Sequence, residues 1–415
     1  MTIFDYQIGA PVSASAAAAK STNVPTHNSK SATGSSVATY ADLMKQLGQP
    51  AFRAKQLAQW LWVQRAKSYD DMTNLPAQLR DQLKTTAPLK RALAEKILHS
   101  KDGTRKYLIR FADGTSVEAV GLPSSSDNDP SHTDTGADTN STKRLTVCIS
   151  TQAGCALGCI FCATGRSGLI RNLSAGEIAE QVRIVSEDFN MRASNVVVMG
   201  QGEPFQNYNA TLAGLRILNA SEAAGGFGIG ARRITISTSG IVAGIRRLTD
   251  EPEQFTLAVS LHSAIQETRD KLMPGLASNN LNRLATALLD YWKATHRRPS
   301  LEYALIKDTN TSPEEITALT AFAQRTKAHV NLIPLNTIEA SKNSHHETRQ
   351  TKSSDDADTN NPTSTNLKAA TQTEATKLAN TLKNAGIEAT IRSERGTDIK
   401  AACGQLAQID EQNAA

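Results

Sequence analysis

The 415-residue chain predicts an α/β fold: a barrel or partial barrel of parallel strands, preceded by a small helical domain and a short antiparallel β extension. Two observations carry this expectation. From Arg144 onward, short β-rich runs alternate with helical patterns about six times, which is how parallel strands joined by crossover helices read in sequence. Before Arg144 the apolar spacing is first helical and then strictly alternating.

In chain order, residues 1–37 are rich in Ala, Ser, Thr and Asn and lack apolar periodicity, so they are expected to be a disordered tail. Helical spacing begins with Phe52, Leu57, Trp60 and Leu61. Asn74-Leu75-Pro76 then opens a second helix through Leu79 and Leu83, giving a helical domain over 38–90. Asp102-Gly103 and Asp113-Gly114 flank the alternating Tyr107, Ile109 and Phe111, so 91–143 reads as a β extension whose polar end, 124–143, is an insertion.

The core is expected over 144–410, with strands at 145–150, 195–199, 233–237, 256–261, 301–306 and 329–334. Ser174 and Glu177 form a capping box ahead of Ile178, Val182 and Val185. A second polar insertion, 339–371, contains His345-His346 and is not read as a metal site. A helix near 375–384, stopped at Gly386, and a strand at 390–392 complete the core ahead of a 411–415 tail.

Composition narrows the class. No stretch reaches the ~20 apolar residues of a membrane span, and the Ala-rich run at 14–19 is too short for a signal core, so a cytoplasmic protein is expected. A net charge of +5 permits a polyanionic partner without requiring one. Five cysteines make no disulfide framework, yet three fall within Cys155–Cys162.

Cys155-x3-Cys159-x2-Cys162 follows the strand expected to end near Ser150, where a barrel places its active-site loops. Three close thiolates with no fourth cysteine nearby suit an iron–sulfur cluster that leaves one iron open. A structural zinc ion would need a fourth ligand from a distant histidine or from Cys403. On composition alone, Cys148 and Cys403 read equally well as small core residues.

With Phe161 before its last cysteine, C-x3-C-x-aromatic-C resembles the radical S-adenosylmethionine (SAM) signature. Six segments extend the resemblance over 40–410: CISTQAGCALGCIFCATG at 148–165, GQGEP at 200–204, RRITISTSG at 232–240, AVSLH at 258–262, NLIPLN at 331–336 and RGTDIKAACGQLA at 395–407. Together they resemble the RlmN family, the adenine-C2 methyltransferases of 23S rRNA and tRNA. Its sister group, the Cfr enzymes, methylates C8. One departure is Gln201, where the family usually has methionine.

The resemblance implies a radical-SAM partial (β/α)6 barrel, a 4Fe-4S cluster on Cys155, Cys159 and Cys162, and two SAM molecules per turnover. It implies that Cys403 carries the methyl group as S-methylcysteine, that Cys148 resolves the RNA adduct through a transient disulfide with Cys403, and that Glu118 accepts a proton. Gly202, Glu203, Ser237, Ser260, Leu261, His262 and Asn336 are the implied SAM contacts. A flavodoxin or ferredoxin would supply electrons to a monomeric enzyme. RNA phosphates are expected to meet the helical domain and Lys55, Arg65, Arg105 and Lys106, groups that could equally form a solvated face. Two readings from other classes stand beside this one: a noncatalytic iron–sulfur RNA-binding or redox protein, and a zinc-stabilised RNA-binding module.

Overall fold

The computed structural model describes residues 2–8, 37–124, 144–277, 279–336 and 367–406. Most of the expected tail, nearly all of the 124–143 insertion, 337–366 of the second insertion and the 411–415 tail lie outside the described residues.

Three helices, α1 (Tyr40–Gln46), α2 (Phe52–Ala58) and α3 (Ala77–Thr86), form the N-terminal domain. A capping box between Thr39 and Asp42 starts α1. The expectation of disorder over 1–37 fails for the first residues. Thr2 and Asp5 cap a short 3-10 turn that buries Ile3, Phe4 and Tyr6. Phe4 packs against Trp62 with centroids 5.7 Å apart and against Gly176, where any side chain would collide with it. Three large apolar residues within four positions bury enough surface to offset the ordering cost, a signal that the polar composition downstream obscured.

The strands β1 (Leu93–His99), β2 (Arg105–Arg110) and β3 (Ser116–Ser124) form an antiparallel meander. The core follows as β4 (Arg144–Cys148), β5 (Gln152–Gly154), α4 (Ala163–Arg166), β6 (Leu169–Asn172), α5 (Ala175–Asp188), β7 (Asn195–Val198), α6 (Tyr208–Asn219), β8 (Ile234–Thr238), α7 (Val242–Thr249) and β9 (Thr256–Ser260). It continues as α8 (Gln266–Leu272), α9 (Leu281–Thr295), β10 (Ser300–Lys307), α10 (Pro313–Thr326), β11 (His329–Pro334), β12 (Lys368–Ala369), α11 (Gln372–Asn384) and β13 (Ala389–Ile391). The second insertion therefore ends sooner than expected, because Lys368–Ala369 pairs with β10.

One sheet runs β1-β2-β3-β4-β7-β8-β9-β10-β11-β13, parallel from β4 to β13. Its two end strands leave the barrel open. The β extension is not a separate appendage: β3 joins the barrel through the antiparallel pairing of Val120 with Cys148. Burial alternates along β7, β8 and β11, as expected where one strand face packs under helices and the other lines the barrel interior, whereas β10 is buried along nearly its whole length.

The N-terminal domain is locked to the barrel by Glu180 on α5, which is buried and accepts from Arg91 Nη1 at 2.5 Å, from the Ala92 amide at 3.1 Å and from Arg183 Nε at 2.8 Å. Removing one partner of a buried ion pair leaves the others desolvated and unpaired. Glu180→Ala is therefore expected to lower unfolding stability by about 3–5 kcal/mol, read as a lower denaturant midpoint. An unchanged midpoint would show that the cluster contributes nothing.

Candidate active site

The cysteine loop springs from a two-stranded hairpin, β5 with β6, in which Gln152 faces Asn172. Gly154 turns the chain with φ +74°, and the amide of Cys155 donates to the Gly168 carbonyl at 2.8 Å. Cys162 caps α4, its amide donating to the Cys159 carbonyl at 3.0 Å. The loop is roofed by the segment around α8: the Ile160 amide donates to the Leu272 carbonyl at 3.1 Å and the Gly275 amide to the Leu157 carbonyl at 3.0 Å. Cys155, Cys159 and Phe161 pack there against Leu157, Leu272, Met273, Leu276 and Leu335.

Burial, opposed by a hydrogen bond from the Leu157 amide and assisted by Cys162 and Glu203, pushes the Cys155 thiol up to about 11. Burial with Cys162, Cys155 and Glu203 raises Cys159 further. Three thiolates packed in an apolar shell repel one another, so the site suits a compact cationic core that offsets most of their charge. Structural zinc takes four closed ligands, whereas a cubane can be held by three thiolates on separate irons with the fourth iron open, so the cysteine trio fits a 4Fe-4S cluster.

The expected SAM contacts stand at the C-terminal strand ends, Ser237 and Ser260 within β8 and β9 and the others on the segments that follow β7, β9 and β11. Gly202 follows β7 with φ +97°, and a side chain there would collide with Gln152. The buried Glu203 carboxylate accepts from Thr238 Oγ1 at 2.7 Å, the Ser239 amide at 2.7 Å, Ser239 Oγ at 2.6 Å and the Phe205 amide at 2.9 Å. These bonds fill the oxygens expected to hold the SAM ammonium group, so such a contact requires the Thr238 or Ser239 hydroxyl to rotate away. Burial raises the Glu203 pKa and the four bonds oppose it.

Ser237 and Ser260 are half-buried on β8 and β9, and Leu261 is fully buried. His262 adopts a left-handed φ of +56°, and its carbonyl accepts from Asn310 Nδ2 at 2.6 Å. Its Nδ1 accepts from the Ala304 amide at 3.0 Å, and its ring meets Phe161 edge-on at 4.5 Å. Burial, aided by Arg269, depresses its pKa to about 3, so the ring is neutral and carries its proton on Nε2. Asn336 follows β11 and donates to the Cys403 carbonyl at 3.4 Å.

The structure also brings the outlying cysteines together. Cys148 ends β4 within a small cluster containing Val120, Ala401 and Leu406. Burial first, then Cys403, pushes its thiol up to about 12, opposed by Arg392 and by the Met199 amide. Glu118, expected to be a proton acceptor, is fully buried on β3, 3.4 Å from Lys106 Nζ. Lys106 also donates to the Lys400 carbonyl at 3.1 Å, joining Glu118 to the segment that carries Cys403. Gln201 enters the same region, its Oε1 accepting from the Glu118 amide at 3.4 Å.

Sequence reasoning missed Arg392. It follows β13, its Nη1 donates to Met199 Sδ at 3.4 Å and lies 4.0 Å from Glu302, and its electrostatic partners are Cys403 first, then Glu302 and Cys148. No motif marks a lone arginine after a short strand; only the fold places it beside both thiols. It lines a cleft of about 760 Å³ with Asn336, Thr397 and Gln405. Because its charge lowers the Cys148 pKa, Arg392→Gln is expected to reduce the thiolate fraction and slow alkylation of Cys148 at any pH below about 12. A shift of one pKa unit would slow it about tenfold. Equal alkylation rates in the two proteins would remove Arg392 from this role.

The expected RNA-facing cations fare unevenly. Lys106 is buried and committed to Glu118 and Lys400, so it does not face phosphate. Arg105 donates to Asp188 at 2.7 Å and covers Phe189, while Arg65 lies 3.8 Å from Glu187. Lys55 remains exposed beside Tyr40 and Ala58.

An open α/β barrel with a three-cysteine loop at its strand ends defines the radical-SAM class. Residues 149–293 match the radical SAM superfamily and residues 34–89 the ribosomal RNA large subunit methyltransferase N-terminal domain. Two proteins named "Probable dual-specificity RNA methyltransferase RlmN" are similar over most of their length. The one from Symbiobacterium thermophilum is 40% identical, covering 90% of each chain. The one from Synechocystis sp. is 38% identical, covering 88% of this chain and 91% of that one. A crystal structure of a radical SAM methyltransferase from Sphaerobacter thermophilus superposes with TM-score 0.73 at 38% identity, covering 89% of this chain and 98% of that chain. The chain belongs to the RlmN family of radical-SAM methyltransferases, whose cofactors are a 4Fe-4S cluster and SAM.

Proposed function

We propose that this protein methylates C2 of an adenosine in 23S rRNA and in tRNA, with Cys155, Cys159 and Cys162 holding the cluster. The observation that carries the reading is that the free thiols Cys148 and Cys403 lie close enough to interact electrostatically with each other and with Arg392, with Cys148 packed against Ala401 and Leu406 of the segment that carries Cys403. C2 of adenine is electron-poor and cannot attack a methyl sulfonium, so a polar transfer fails. When bound, SAM and the cluster supply a methyl group and, from a second SAM, a 5′-deoxyadenosyl radical.

The protein's residues do the rest. Cys403 accepts the methyl group as a thioether, a displacement suited to a soft thiolate. After loss of one hydrogen atom, its S-methyl carbon bonds to C2. Glu118 takes the C2 proton, and the unpaired electron left on the base passes to a one-electron acceptor of the iron–sulfur class. Cys148 attacks the Cys403 sulfur, and as the disulfide forms the carbon–sulfur bond breaks with its electron pair on the methylene carbon, which takes up a proton to become the methyl group. Cellular thiols reopen it. Gly202, Glu203, Ser237, Ser260, Leu261, His262 and Asn336 hold SAM, and an exposed cationic surface including Lys55 meets RNA phosphate.

The protein acts as a cytoplasmic monomer, reduced by a flavodoxin or ferredoxin. Among the described residues, no helix is long and apolar enough to cross a membrane. RlmN-named relatives favour C2 over C8. Mass mapping of the adenosines made by the anaerobically reconstituted protein is expected to give 2-methyladenosine; exclusive 8-methyladenosine would overturn the assignment, and a cluster that never cleaves SAM would favour a noncatalytic role.

A further inference from the structure

Arg269 on α8 is fully buried, yet its guanidinium meets only neutral acceptors. It donates to the carbonyls of Ser239 at 2.5 Å, Leu261 at 3.2 Å and Ser260 at 3.4 Å, on the segments that end β8 and β9. Its Nη1 has no hydrogen-bond partner among the described residues. Asp270, next in sequence, accepts from Gln266 Nε2 at 2.8 Å. A guanidinium does not give up its proton at neutral pH, and burying an unpaired cation costs several kcal/mol. A compensating anion is therefore required nearby.

The first electrostatic partner of Arg269 is Cys159, with Asp270 second. The helix that carries Arg269 is fixed to the cysteine loop, because Leu272 accepts from the Ile160 amide at 3.1 Å and Leu272 and Met273 pack on Cys155 and Cys159. In an oxidised 4Fe-4S core the two positive charges fall short of the three thiolates' negative charges. The ligated cluster is thus an anion, and reduction by one electron makes it more negative.

We propose that Arg269 is the buried counter-cation of the thiolate-held cluster, a positioning residue that raises its reduction potential while holding the loops after β8 and β9. This rests on the reading of Cys155, Cys159 and Cys162 as cluster ligands. A buried fixed charge is screened little by solvent, so it acts differentially on the two oxidation states. The reduced state, with the greater negative charge, gains more from it.

The test is a redox titration of the anaerobically reconstituted full chain, without RNA, using dithionite as reductant and the electron paramagnetic resonance signal of the reduced cluster as readout. In Arg269→Gln, the reduced-to-oxidised ratio at the wild-type midpoint is expected to fall about tenfold, a ~59 mV drop for a one-electron couple. Arg269→Lys, which keeps the charge but loses the forked contacts, is expected to retain the wild-type potential. An unshifted potential in Arg269→Gln, or an equal drop in Arg269→Lys, would reduce Arg269 to a staple between loops. Should Arg269→Gln fail to take up a cluster, Asp270→Asn decides: removing the opposing carboxylate raises the potential, and no rise overturns the proposal. Wild-type protein that binds no 4Fe-4S cluster would overturn the ligand reading itself.

Discussion

Cys148→Ala, incubated with RNA substrate and SAM under reducing conditions, is expected to accumulate a covalent protein–RNA adduct that survives denaturation. Cys403 can still accept a methyl group and pass its carbon to the base, but no thiol stands ready to attack the Cys403 sulfur. Product release stops, and turnover is limited to one transfer per chain. The substitution is mild for the fold: it removes one sulfur from a small cluster of Val120, Ala401 and Leu406, at a cost on the order of 1 kcal/mol. Burial holds the Cys148 thiol near 12 in the resting protein, which keeps it inert toward adventitious alkylation until the Cys403 sulfur is presented to it. A labelled RNA retained with the protein on a denaturing gel reads the adduct. The double variant Cys148→Ala/Cys403→Ala should show none, since the carbon link originates on Cys403. Free turnover by Cys148→Ala would remove Cys148 from the release step.

The barrel was legible in the sequence because its strands are short, apolar and bounded by capped helices. The expected strand at 329–334 coincides with β11, and the Ser174–Glu177 box caps α5 as anticipated. The cysteine loop was legible for a different reason: thiols at such spacing are rare enough to carry chemistry without structure. Features made by tertiary contact alone were not. The β5–β6 hairpin uses only Gln152–Gly154 and Leu169–Asn172, segments too short for periodicity, and its pairing spans the loop it shapes. Arg392 and Arg269 resemble any other arginine until the fold sets the half-buried Arg392 and the fully buried Arg269 beside thiols. Lys106 shows the reverse error, since its sequence neighbourhood reads as a basic surface while β2 turns it inward toward Glu118. Charge in sequence reports what a residue can do, and burial decides which partner it meets.

Two glycines at the base of the cysteine loop separate backbone preference from space. Gly154 and Gly168 both hold left-handed φ, +74° and +68°, so alanine at either position is strained by about 1–3 kcal/mol. They differ in what surrounds them. A side chain on Gly154 would overlap the Gly168 carbonyl oxygen, the atom that accepts the Cys155 amide, whereas a side chain on Gly168 meets nothing within 4 Å. Gly154→Ala is therefore expected to open the hairpin, displace Cys155 and abolish uptake of the 4Fe-4S cluster, leaving the barrel folded because β5 and β6 form a sheet apart from the main one. Gly168→Ala is expected to retain the cluster with a stability loss of about 1 kcal/mol. Iron and sulfide content after anaerobic reconstitution reads the first effect, and chemical denaturation reads the second. Full cluster occupancy in Gly154→Ala would show that the hairpin does not set the position of Cys155. Loss of the cluster in both variants would show that conformational strain, and not the overlap at the Gly168 carbonyl, governs the loop.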